Sequence, residues 1–246
     1  MKQEMGIMRA LLLVVATLVH AVSVTAVPYG GYSKVYRLDV TQDVTLERAS
    51  RNFNYLRYLI VAWHPGFPNK RSLVQFENPP TICKPYQIES ATMFLYYEYS
   101  HKASYETEES VPFINRILEL HLMKKSWREA QATSSHRLSG VVWSSPGVGL
   151  DGTDAEANPV GGTVTISRYT RKGFVRFDVT DAVRRWRYGT PNYGLVIRAK
   201  NERERGRDVR FTSNASRDAS KHAYILLKCK GTLPKISVSA TLKPPL

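Results

Sequence analysis

Four oxygen-bearing side chains crowd one short, glycine-containing stretch: Asp151, Asp154, Glu156 and Asn158 within DGTDAEAN. Two chemistries suit such a group. Ca2+ takes about six to eight oxygen ligands, and this loop offers several, although not at EF-hand spacing. Asp154 and Glu156 also offer the acid/base pair of glycoside hydrolysis, but nothing nearby in sequence supplies a partner or an apolar setting that would raise one pKa. A solvated acidic loop is the alternative to both.

Cations form the second constellation. Arg184, Arg185 and Arg187 flank Trp186; Arg168, Arg171, Lys172 and Arg176 precede them; Arg203, Arg205, Arg207 and Arg210 follow. Arginine forks pair bidentately with carboxylate and sulfate groups. Glu202, Glu204 and Asp208 interleave with the last group, so internal salt bridges are expected there. The polyanion-binding candidates are therefore Arg184, Arg185, Arg187, Arg171 and Lys172, with Trp63, beside His64-Pro65-Gly66, as a stacking platform. The six histidines are scattered at spacings that indicate no metal site.

Charge and cysteine usage set the context. The formal net charge is +14, and removing Lys2, Glu4 and Arg9 with residues 1–26 lowers it by one. Those residues have a basic start, an apolar run from Ala10 to Ala21 too short to span a membrane, and the small residues Val24-Thr25-Ala26. A secretory signal peptide is expected there, with no transmembrane anchor elsewhere. In that compartment the polyanions are acidic polysaccharides, acidic matrix proteins and anionic lipid surfaces, not nucleic acid; a basic surface without a ligand is the alternative. The two cysteines, Cys83 and Cys229, are expected to form one disulfide, stabilising by roughly 5 kcal/mol in the chain-entropy model. Asn214-Ala215-Ser216 is an N-glycosylation sequon.

The elements that must position these groups read as strands. Alternation marks Val35–Glu47, Arg71–Glu77, Ser90–Tyr99, Phe113–Met123, Thr163–Ser167, Phe174–Val179, Leu195–Ala199, Val209–Thr212 and His222–Cys229, with the apolar run Tyr58–Trp63 between. Within Ser90–Tyr99, Ala91, Met93, Leu95, Tyr97 and Tyr99 face one way, and Thr92, Phe94, Tyr96 and Glu98 the other. Ser144–Gly162 is the least regular stretch, and Trp127 anchors the polar segment before it. Between Phe174 and Leu195 a strand leads into a short helical turn capped by Thr180 or Asp178, with Val183 and Trp186 on one buried face. The expectation is an all-β, jelly-roll-like sandwich of about 8–10 antiparallel strands with short helical turns. It would fill residues 35–231, after an N-terminal segment 27–34 and before a C-terminal strand or tail, 232–246.

Five segments in order resemble the DNRLRE domain family, secreted β-sandwich modules related to carbohydrate-binding modules. They are Asp43-Val-Thr-Leu with Asn54-Tyr55; Lys70-Arg-Ser-Leu-Val-Gln-Phe; Ile88-Glu-Ser-Ala-Thr-Met-Phe-Leu-Tyr; Trp127-Arg-Glu; and Phe177-Asp-Val-Thr-Asp-Ala-Val-Arg-Arg-Trp with Asn192-Tyr-Gly-Leu. Trp143-Ser-Ser-Pro-Gly with Asp151 is similar to the irregular stretch that precedes the family's FDVT strand. The arm of the TGF-β propeptide, which carries a similar strand and turn, is a more distant resemblance. The family resemblance implies a non-enzymatic module that binds polysaccharides such as uronates, here in an extracellular matrix, mineralising matrices included. A structural matrix protein acting by self-association is the second expectation, and a polysaccharide lyase or hydrolase the third.

Overall fold

In a computed structural model, the described residues are 33–47, 50–62, 69–101 and 111–231. The segment read as a signal peptide, Trp63 and residues 232–246 lie outside them. Among the described residues there are twelve strands: β1 (Ser33–Leu46), β2 (Tyr58–Val61), β3 (Arg71–Phe76), β4 (Ile88–His101), β5 (Arg116–Leu122), β6 (His136–Leu138), β7 (Val141–Val142), β8 (Val160–Ile166), β9 (Gly173–Asp178), β10 (Leu195–Ala199), β11 (Asp208–Thr212) and β12 (Tyr224–Lys230). One helix, α1 (Thr180–Arg187), and short 3-10 turns complete an all-β sandwich. Arg116–Leu122 forms a strand within the alternating run Phe113–Met123.

A shared strand joins the two sheets. Ser33–Asp39 of β1 pairs with β12, whereas Val40–Leu46 pairs with β3, with a register shift between Val40 and Gln42. A bulge of this kind bends a strand and lets it turn a sandwich corner. The first sheet contains β9, β4, β12, β11 and β2; the second runs β3, β10, β5, β8. Phe94 of β4 lies opposite both Tyr224 and Arg176, so β12 and β9 occupy opposite edges of β4. Phe211 lies opposite Tyr97, so β11 and β12 follow one another along the same edge, and residues 213–223 leave the sheet and return.

Periodicity accounts for the packing. Ala91, Met93, Leu95 and Tyr97 point into the main core, where they meet Phe76, Leu118, Leu120, Leu122, Leu195, Ile197 and Phe177. Each such large apolar side chain stabilises by about 1.5–3 kcal/mol on burial. Tyr99 breaks the series: it is 36% exposed, because the register shift between Arg210 and Phe211 re-aims the strand end. The central strands β3 and β10 are buried on both faces. Leu73 and Val196 turn away from the main core into a second one with Met123, Trp127, Trp143 and Val148. The irregular segment before β8 is therefore a cover over the second sheet, and Trp127 anchors it, donating from Nε1 to Tyr193 O at 2.8 Å.

The corner after β9 carries the expected short helix, but its N-cap is Val179, with no side-chain cap bond, in place of the expected Thr180 or Asp178. Asp178 Oδ1 accepts from Thr180 N and Oγ1, and Thr180 Oγ1 accepts from Ala91 N, fixing the start of α1 to β4. Ala182, Val183 and Trp186 supply its buried face. Gly161 at the start of β8 has φ +68, and a Cβ there would stand 1.9 Å from Asp178 O, so only glycine allows β8 past this corner. Cys83 and Cys229 are disulfide-bonded, Cα atoms 6.0 Å apart, tying the loop before β4 to the end of β12.

Candidate functional site

The acidic loop is structural. Asp154 is 2% exposed, and its Oδ2 accepts from Ser144 N (2.7 Å), Ser144 Oγ (2.7 Å) and Gly149 N (2.8 Å). Asp151 accepts from Thr153 N, a bond that holds its carboxyl below the usual range. Glu156 forms a two-pronged ion pair with Arg185, which likewise lowers its pKa. Spent in three directions, these carboxylates do not converge, and among the described residues no group of acidic, His or Cys side chains is arranged to hold a metal. This geometry assembles neither the candidate Ca2+ loop nor the candidate acid/base pair, and the buried Asp154 also departs from the solvated acidic loop of the alternative reading: the backbone donors of a tight turn and an arginine 29 residues away claim the oxygens first.

The arginines around Trp186 divide by partner. Arg185 is committed to Glu156, with Asp181 at 3.8 Å, so it is not a free polyanion contact as the sequence had indicated. Arg184 donates to Ile88 O (2.7 Å), and Arg187 to Cys83 O (2.9 Å) and Thr81 O (3.0 Å). Backbone carbonyls orient these two guanidinium groups without neutralising them. The interleaved acids of the 202–208 stretch pair with other strands: Glu202 with Arg71 and Arg198, and Asp208 with Lys70.

Arg171 and Lys172 lead to a surface that the sequence candidates had only touched. Lys172, immediately before β9, is ion-paired with Glu98 and lies 5.9 Å from the Tyr96 ring centre. Burial raises the Glu98 carboxyl, but bonds from Lys172 and Thr212 outweigh it and leave the pKa lowered. Arg171 beside it is exposed. On this outward face of the first sheet, rings from three strands meet. Phe94 and Tyr224, directly opposite in register, stack at 4.8 Å with planes 11° apart. Phe174, opposite Tyr96, meets it edge-on at 5.1 Å and reaches Tyr224 at 5.4 Å. Such cross-strand aromatic pairs are a unit of sheet stabilisation, but Phe174 is still 37% exposed.

Cations sit over these rings: Arg37 over Tyr224 at 4.0 Å, Arg176 over Phe94 at 5.5 Å and Lys221 over Tyr96 at 5.3 Å. Arg37 is also paired with Asp39 at 2.6 Å, an exposed pair of small worth, and the half-buried Lys221 with Asp218 at 2.5 Å. Arg176 has no carboxylate partner among the described residues. The stripe from β9 to β1 crosses four strands, roughly 14 Å at ordinary strand spacing. It can offer apolar ring faces and guanidinium donors to one extended ligand.

A buried acid lies under the sequon. Asp43, 1% exposed, accepts from Ser213 Oγ (2.6 Å) and from Asn214 N (2.7 Å). Burial pushes its pKa up to about 7 against those bonds, and the neighbouring Glu129, bonded to the Asn214 side chain, is raised by burial too. The sequon asparagine is therefore half-buried and engaged on both its backbone and its side chain. No protein-family model matches the chain, and no curated protein matches it.

Proposed function

We propose that this protein is a secreted, non-catalytic module that binds an acidic polysaccharide on the outer face of the first sheet. The observation that carries the reading is the packed group Phe94, Tyr96, Phe174 and Tyr224 with Arg37, Arg176, Lys172 and Lys221 over or beside its rings. Ring faces suit the apolar side of a sugar, and arginine forks suit uronate or sulfate groups. The chain's net charge of +14 favours an anionic polymer over a neutral one. The disulfide accords with an oxidising compartment. The resemblance to the DNRLRE family points the same way. A non-catalytic role is supported by Asp154 and Glu156 being held by the fold itself.

The test is binding of the purified protein to immobilised polyuronate, sulfated and neutral polysaccharides. Retention on the acidic polymers is expected, reduced by Phe174→Ala with little change in Tm. Equal retention on neutral polymers, or an unchanged Phe174→Ala variant, would overturn the assignment.

A further inference from the structure

The end of α1 carries a second surface of different character. Its three large apolar side chains stand far into solvent: Ile82 is 70% exposed, Tyr86 78% and Tyr188 71%. The arginine bonds already described join the backbone segments that carry them, since Arg187 holds the carbonyls of Thr81 and Cys83, on either side of Ile82, and Arg184 that of Ile88. The disulfide fixes the same loop from its other side. Both the loop and the helix end are therefore rigid before any partner arrives, which lowers the entropy cost of binding.

The cations here are open. A guanidinium has five N–H donors; in bonds to the protein Arg184 engages one through Nη2, and Arg187 two through Nε and Nη2. Neither they nor the exposed Lys84 has a carboxylate partner among the described residues, whereas the adjoining Arg185 is already neutralised by Glu156. Tyrosine and arginine are the residue types that anchor protein interfaces.

We infer that this corner docks an acidic polypeptide segment that brings an apolar side chain along with its carboxylates. Charge complementarity selects an acidic occupant, and a second copy of a chain carrying +14 would bring like charge to the cluster. The isoleucine favours polypeptide over polysaccharide, because the apolar side of a sugar is recognised by a flat ring face, which a branched aliphatic tip does not present. The inference does not rest on the polysaccharide reading, which concerns the outer sheet face.

The test uses the full mature chain and a fluorescein-labelled synthetic peptide of repeated Asp-Glu-Leu-Phe units, read by fluorescence anisotropy. Tyr188→Ser and Ile82→Ser, both at exposed positions, are expected to weaken binding about tenfold or more, as loss of interface anchors does. Phe174→Ala is expected to leave peptide binding unchanged, and the two corner variants to leave polyuronate binding unchanged. A peptide of Asp-Glu units alone should bind more weakly than the apolar-containing one. Equal binding of the two peptides, corner variants that bind like wild type, or displacement of the peptide by polyuronate would overturn the proposal. So would concentration-dependent dimerisation abolished by Tyr188→Ser, which would make the occupant a second copy.

Discussion

Asp43 shows how a single side chain can be placed against its own ionisation. Its pKa is 3.8 in an ordinary setting and about 7 in the fold, so the native state holds the proton more tightly than the unfolded chain. The contribution is complete below pH 3.8, declines as pH rises, and is lost once pH passes about 7. A protonated Asp43 can donate to Ser213 Oγ while accepting from Asn214 N, and asparagine reproduces that pattern. Asp43→Asn should therefore match wild type in denaturant stability near pH 4 and exceed it near pH 8. Because Glu129 and the ion-paired acids remain in both proteins, the difference between the two curves isolates Asp43. Parallel curves would contradict the assignment. In the sequence Asp43 stood only as the first residue of a family-like motif, with no sign of burial; its partners Ser213 and Asn214 follow β11 and are brought to it by the fold.

At the scale of elements, the corner of β9 and α1 was the most legible part of the chain. Val183 and Trp186 at helical spacing after an alternating strand specified a helical turn with one buried face, and both side chains are buried. Trp186→Ala should cost about 3–5 kcal/mol, the range for truncating a buried aromatic. Coincident thermal melts of variant and wild type would contradict the packing described. Partners were less legible than faces. The alternation of β4 put Phe94 and Tyr96 outward, yet only strand register places Phe174 and Tyr224 against them, and register is a tertiary property. Arg185 was misjudged for the same reason: its partner Glu156 lies in a distant loop that covers the second sheet. Asp154 was misread because backbone donors at Ser144 and Gly149 leave no trace in residue type.

For the molecule as a whole, the distribution of charge matters more than its sum. Many cations are already balanced by acids from other strands, as with Arg71 and Glu202 or Lys70 with Glu47 and Asp208. Arg176 on the ring-bearing face, and Arg184 and Arg187 on the corner, are left without carboxylates among the described residues. Two surfaces with different apolar chemistry can then serve two ligands on one rigid sandwich. The central claim concerns the first surface, and salt dependence of its affinity is the most direct measure. Exposed charge pairing is screened over about 8 Å at 0.15 M ionic strength, whereas stacking is not. Polyuronate binding should weaken steeply from low to physiological salt in the wild type. Arg176→Gln should flatten that slope, and Phe174→Ala should lower affinity at every salt concentration without changing it. A wild-type affinity independent of salt, or an Arg176→Gln variant with an unchanged slope, would contradict the account.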